Sequence, residues 1–185
     1  MANDQEIEIF KLLDSDDRRQ EAFVLIMELY SKPIYWHIRR MVVRHEDAED
    51  VMQECFINVY RSIGGFKRES SLKTWIYRIA TNEAIRYCKK QRLDIQSYDD
   101  KSRLINLFEA EEGIDLSSAE ATLQKAILAL PEKQRVVFNL RYYDELSYEQ
   151  IATITNSSVS TLKTNYHYAS GKIKEYVQNN IQVEL

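Results

Sequence analysis

Proline occurs twice and glycine four times in 185 residues, so the chain has little of the material from which turns and long irregular loops are built. No window alternates apolar and polar residues in the manner of a strand. With Leu, Ile, Glu, Lys and Tyr abundant, these absences predict an all-α protein. The two cysteines, Cys55 and Cys88, stand 33 positions apart on apolar helical faces. They cannot supply a disulfide framework or a CxxC metal site, and are expected to be buried, reduced thiols. No apolar run reaches the ~18 residues that a membrane span needs. Nor does the start show the basic-then-apolar pattern of a secretory signal. The expected location is the cytoplasm, with no membrane insertion.

Catalytic groupings are equally sparse. His37, His45 and His167 are scattered, and His45-Glu46 has no second histidine at metalloprotease spacing. There is no Gly-rich phosphate loop, and the many carboxylates lie along solvated helix faces. No catalytic residue, metal site or cofactor is expected, and the chain does not read as an enzyme.

What the sequence does have is an uneven distribution of charge. The formal net charge of −4 argues against a simple nucleic-acid binder. Residues 67–92 nevertheless hold eight Lys/Arg against two Asp/Glu, whereas residues 93–120 hold two against eight. Such a reversal between neighbouring windows suggests a basic binding surface followed by an acidic connector.

The most informative stretch runs from Leu146 to Val177. Ser147 and Gln150 form a capping-box pattern at the start of a short helix containing Ile151 and Ala152. Thr155-Asn156-Ser157-Ser158 breaks the pattern with turn-forming residues. Leu162, Tyr166, Ala169, Ile173 and Val177 then recur as one helical stripe. Opposite that stripe lie Ser160, Thr161, Lys163, Thr164, His167, Tyr168 and Lys172. Two short helices joined by a polar turn, the second long enough to lie along a major groove, are a helix-turn-helix pattern. A pair of ordinary core helices is the plainer reading of the same periodicity.

Upstream, residues 1–20 read as a frayed helical start. Phe23, Ile26, Met27, Tyr30, Ile34, Ile38 and Met41 follow a helical period, with Pro33 marking a kink or break. A second helix, about Glu46 to Ile63, buries Ala48, Val51, Met52, Cys55, Phe56, Val59 and Ile63. Its other side carries Glu46, Asp47, Glu49, Asp50, Gln53 and Glu54, acids that also suit a helix N-terminus. Gly64-Gly65 ends it, and Phe66–Ser71 reads as a polar loop with one exposed aromatic. A third helix, about Leu72 to Arg92, buries Leu72, Trp75, Ile76, Ile79 and Ala80. It sets Arg78, Asn82, Arg86, Lys89 and Lys90 down an adjoining side. Cations, an amide and nearby aromatics suit single-stranded nucleic acid. The plainer account makes Trp75, Phe66 and Tyr77 core residues and the cations a solvated face.

Leu93–Ser118 lacks a sustained period and reads as an acidic linker with at most a helical turn around Leu104–Phe108. Helices resume at Ala119–Leu130 and after Pro131, where Val136, Val137, Leu140 and Tyr143 form a stripe. The expected organisation is two small helical domains, residues 1–92 and 119–178, joined by linker 93–118, with residues 178–185 a tail.

In order, these motifs resemble an extracytoplasmic-function (ECF) sigma factor of the sigma-70 family, over about residues 20–177. DAEDVMQECFINVYRSIGGF is similar to the family's core-polymerase-binding helix, and SSLKTWIYRIATNEAIRYCKKQR to its promoter-melting segment. LPEKQRVVFNLRYYDELSYEQIA with SSVSTLKTNYHYA is similar to its fourth domain. The resemblance implies that Asp47, Asp50, Gln53, Glu54 and Tyr60 dock on the clamp helices of the largest RNA polymerase subunit. It implies a pocket for a flipped minus-ten base at Phe66, Lys67 and Asn82, with Arg78, Arg86, Lys89 and Lys90 on the DNA backbone. Ser158, Ser160, Thr161, Lys163, Thr164 and His167 would face the minus-thirty-five duplex. Further implied partners are the flap of the second-largest subunit and an anti-sigma factor. Many relatives carry arginine where this chain has Asn165 and Tyr168, which lowers the expected grip on DNA. A free-standing helix-turn-helix regulator, with residues 1–92 for sensing or dimerisation, is the alternative. A helical interaction protein without a DNA role is a third.

Overall fold

A computed structural model describes residues 4–95 and 100–180 of the chain. Among them nine α-helices follow one another without a strand, and none is long and apolar enough to cross a membrane. The first, α1 (Asp4–Leu13), inserts Ile9 and Leu12 into the core. After a 3-10 turn at Asp16–Arg18, α2 (Arg19–Val42) runs on through Pro33. A proline inside a helix costs about 3 kcal/mol. Ala22, Ile26, Tyr30, Ile34, Ile38 and Met41 are buried on both sides of it. At about 1.5–3 kcal/mol for each large side chain, that burial outweighs the lost hydrogen bond.

Helix α3 (His45–Ser62) lays Ala48, Val51, Cys55, Phe56 and Val59 inward and closes with a 3-10 turn at Ile63–Gly65. The Ser71 hydroxyl accepts the Thr74 N–H at 3.1 Å and caps α4 (Leu72–Ile95). Trp75 and Tyr77 are 8% and 2% exposed, so both are core residues rather than stacking surfaces. Cys55 and Cys88 are free and buried. Burial, with the Glu83 carboxylate adding to it, pushes the Cys55 thiol up to about 12.

The connector is more structured than its sequence suggests. Residues Asp100–Glu109 form α5, in place of the single turn expected around Leu104–Phe108. Its Leu104 and Phe108 pack with Val43, Ala121 and Leu128 in a small core of their own. Val43, just past the end of α2, has φ +78°, a conformation that costs a β-branched residue about 1–3 kcal/mol. Burying the Val43 side chain to 1% exposure holds it there. Glu111 pairs with Arg39 at 2.6 Å and Glu109 with Lys125 at 2.7 Å. The C-terminal end of α5 is thus tied both to α2 and to the following helix. The linker residues 96–99 lie outside the described residues, as do 181–185 of the tail.

Ser118 caps α6 (Ala119–Leu128), accepting the Ala121 N–H. Then come α7 (Glu132–Tyr142), α8 (Tyr148–Thr155) and α9 (Val159–Asn180). The predicted capping box is present. The Ser147 N–H donates to Gln150 Oε1 at 2.8 Å, and the Gln150 N–H to Ser147 Oγ at 3.2 Å. Asn156 takes the left-handed conformation that ends α8. Ala126, Ile127, Leu130, Phe138, Ala169 and Ile173 form the core shared by α6, α7 and α9.

These later helices do not stand apart from the earlier ones. Val136, Val137, Leu140, Leu146, Ile151, Ile154 and Leu162 belong to the same apolar cluster as α1–α4, and α8 packs along α4. The result is two lobes, α1–α4 and α6–α9, sealed face to face.

Removing the packed side chain of the connector should be costly: Leu104→Ala is expected to destabilise the fold by about 2–5 kcal/mol in urea titration. A loss under about 0.5 kcal/mol would mean that α5 does not pack. Neither cysteine should react with Ellman's reagent in the native protein at neutral pH, and both should react in denaturant. A fast native thiol would contradict the burial.

Candidate nucleic-acid interface

Three helices present chemically distinct outer faces. On α3, Asp50, Gln53 and Glu54 are exposed in consecutive turns. Asp47, from the same predicted set, is half-buried and accepts the hydroxyl proton of Tyr87. Burial first, and then this carboxylate, pushes the Tyr87 phenol up to about 12. Tyr60 stays 42% exposed, with its ring edge-on to Phe23 at 5.0 Å. The Arg19 guanidinium lies 5.3 Å from the Tyr60 ring centre. The acidic face is thus built on a rigid helix with its aromatic end fixed.

On α4 the cations line up as expected. Arg78, Asn82, Arg86, Lys89 and Lys90 are all exposed, while Ile76, Ala80 and Ala84 are buried behind them. Arg86 pairs with Glu83, which also accepts a hydrogen bond from the Asn58 amide at 3.0 Å. Lys67 is exposed in the preceding loop. Phe66 differs from the expected exposed aromatic: it is half-buried, stacked 6.2 Å from Phe10 and tilted against Trp75 at 5.1 Å. The sequence gives no sign of this, because Phe10 belongs to a helix more than fifty residues upstream.

The third face belongs to α9, where Ser160, Lys163, Thr164 and His167 are exposed along one side. Ser158 has a local duty. Its hydroxyl accepts the Thr161 N–H at 3.1 Å and meets Thr161 Oγ1 at 2.8 Å, so it caps the helix. The Thr164 hydroxyl donates back to the Ser160 carbonyl at 3.1 Å. Lys163 Nζ sits 5.8 Å from the centre of the Tyr148 ring.

The second face adjoins another side of α9. Arg78, Asn82 and Lys89 of α4 and Thr161 and Asn165 of α9 line one cleft of about 460 Å³. Ser160, Lys163, Thr164 and His167 are not among its walls. Beneath it lies a polar cluster that sequence reading missed, centred on Asp144 between α7 and α8. His37 falls on the apolar stripe of Ile34, Ile38 and Met41, and a polar residue on a core stripe was the available signal. Its partner 107 positions away could not be read from periodicity.

Comparison with known proteins agrees with this architecture. Residues 26–93 match the family described as Sigma-70 region 2, and residues 120–173 that described as Sigma-70, region 4. The chain is 33% identical over 173 residues to the ECF RNA polymerase sigma factor SigW of Bacillus subtilis, covering 86% of this chain and 91% of that one. It is 34% identical over 173 residues to the ECF RNA polymerase sigma-E factor of Haemophilus influenzae, covering 88% and 89%. Among solved structures, the sigma factor RpoE of Bartonella quintana, in complex with the anti-sigma factor NepR, superposes with a TM-score of 0.66. Its identity is 21%, over 90% of this chain and 99% of that one. CnrH, in complex with the cytosolic domain of CnrY, gives 0.68 at 17% identity, over 96% and 99%. Those two show the fold. Two sigma regions in order over most of the chain leave no place for a separate sensing domain, which removes the free-standing regulator. The chain belongs to the ECF group of sigma-70 family RNA polymerase sigma factors.

Proposed function

We propose that this sigma factor docks on core RNA polymerase through the acidic side of α3, opens a minus-ten element with α4 and reads a minus-thirty-five duplex with α9. The observation that carries the reading is the segregation of three unlike surfaces on one rigid helical frame. Asp50, Gln53, Glu54 and Tyr60 suit a basic protein partner, the clamp helices of the largest subunit. Asp47 contributes from its half-buried position chiefly by holding α3 against α4.

Arg78, Arg86, Lys89 and Lys90 follow the phosphates of a separated strand, while Asn82 and Lys67 stand nearest a flipped base. Extruding a base costs a few kcal/mol. A stacking contact of about 1–3 kcal/mol, with phosphate binding, offsets that cost. Phe66 supplies the stacking surface once its contact with Phe10 or Trp75 loosens.

In α9, Ser160, Thr161, Lys163, Thr164 and His167 face the duplex, with Ser158 fixing the helix start against phosphate. A helix of 22 residues spans about 33 Å, enough to lie along a major groove. Few cations on that helix mean modest intrinsic affinity, consistent with a subunit that binds promoters inside holoenzyme. Contacts to the flap of the second-largest subunit, restraint by an anti-sigma factor and action in the cytoplasm complete the reading. Bond-making belongs to the polymerase, so the chain itself is not an enzyme.

The deciding experiment adds purified chain to core polymerase and sequences transcript starts from genomic DNA. Asp50→Lys with Glu54→Lys is expected to abolish association with core while circular dichroism stays helical. Unchanged association would remove the α3 assignment. Lys163→Ala should weaken binding of holoenzyme to upstream duplex about three- to tenfold and leave binding to melted minus-ten strand unaltered. Equal losses on both would contradict the division between α4 and α9.

A further inference from the structure

Helix α1 lies outside residues 26–93, the part of the chain matched to Sigma-70 region 2, and none of the three outer faces makes use of it. It is nevertheless fixed firmly to the first lobe. Ile9 and Leu12 are 0% and 5% exposed, and the Tyr30 hydroxyl donates to Glu6 Oε1 at 2.5 Å. The C-terminal end of α1 also reaches the loop that joins α3 to α4. In that loop Arg68 has φ +57°, the left-handed region that side chains with a Cβ rarely adopt. Its guanidinium pairs with Asp14, donates to the Phe10 carbonyl at 3.3 Å and lies 4.8 Å from the centre of the Phe10 ring. A cation at the end of a helix also suits its dipole.

Among the described residues, no other side chain of the loop segment 67–70 hydrogen-bonds to another element. Arg68 is therefore the polar tether of that segment, and the tether runs to α1. Phe66, two positions earlier, lies nearly parallel to the Phe10 ring at 20° and at 42° to Trp75. One end of one helix thus fixes both the bend of the loop and the plane of its aromatic ring.

We propose that α1 braces the base-capture loop: Asp14 holds Arg68 in its left-handed bend, Phe10 sets the plane of Phe66, and both are positioning residues for a flipped minus-ten base. This rests on the reading of Phe66, Lys67 and Asn82 given above. Without its tether, Arg68 relaxes toward the negative φ that its Cβ favours. Phe66 and Lys67 precede the bend, and Ser71, the cap of α4, follows it. A change of φ at Arg68 therefore re-aims the first two against Asn82 on α4. With Phe10 stacked behind it, Phe66 parts from Trp75 rather than from Phe10 when a base enters. The Arg68 and Asp14 side chains are 46% and 64% exposed, so their pairing adds little to overall stability. Its effect falls on the shape of the loop. There a small bias reads out directly, because apparent affinity scales with the fraction of chains already able to take the base.

The test uses holoenzyme assembled from the full chain and core polymerase. Two probes come from a mapped transcript start: the single non-template strand across the minus-ten element, and the upstream minus-thirty-five duplex. Asp14→Ala should weaken binding of the strand by about three- to fivefold and leave duplex binding and association with core unchanged. Adding Arg68→Gly to that variant should restore strand binding to within about twofold of wild type, because glycine takes a positive φ without a tether. Phe10→Leu keeps an apolar contact but not the flat ring, and should weaken strand binding by about threefold. The brace is overturned if Asp14→Ala or Phe10→Leu binds the strand as the wild type does. It is equally overturned if strand and duplex weaken alike, or if Arg68→Gly restores nothing. A holoenzyme whose strand binding is unchanged by Phe66→Ala would overturn the base-capture reading itself, and the brace with it.

Discussion

A carboxylate carried into a helical core must find donors there, or the site destabilises the fold that contains it. Asp144 finds them on helices more than seventy positions away in the chain, and that requirement fixes how the two lobes meet. With His37, Arg40 and Lys73 converging on one short loop, α8 can lie along α4 in only one register. The apolar side chains Val137, Leu140, Ile151 and Leu162 then seal against the first lobe. They provide bulk attraction, and the polar cluster provides direction.

The same geometry explains why a promoter-binding chain can have so little net positive charge. A run of cations lies on α4, the acids of its partner-docking side lie on α3, and two connector acids, Glu111 and Glu109, pair with Arg39 and Lys125. Each surface therefore keeps its own sign while the whole remains slightly acidic. Arg78, Asn82 and Lys89 of the basic side border the cleft beside the start of α9 and stay exposed, as do Arg86 and Lys90 outside it. The local strain at Val43 belongs to this arrangement too, since the turn that produces it ends α2 where the connector helix can pack.

Local pattern makes much of this legible in the sequence. The Leu162–Val177 stripe, the Ser147–Gln150 box and the run of cations from Arg78 to Lys90 all appear where their spacing places them, because each is decided within a turn or two of helix. What escaped the sequence depends on distant partners. Leu104 and Phe108 alone, one turn apart, are too short a pattern to distinguish a packed helix from a linker. Phe66 looked exposed because Phe10 and Trp75, the rings that enclose it, come from other elements. Pro33 looked like a break because local cost was visible and the burial offsetting it was not. His37 and Asp144 gave no joint signal at all.

The shape of the free chain in solution tests the sealing of the two lobes most directly. Small-angle X-ray scattering of the unbound monomer should give a radius of gyration of about 16 Å, the value for a compact body of this length, with a single maximum in the pair-distance distribution. A clearly larger radius with two separated maxima would show the lobes apart without any partner and contradict the packing of α8 along α4.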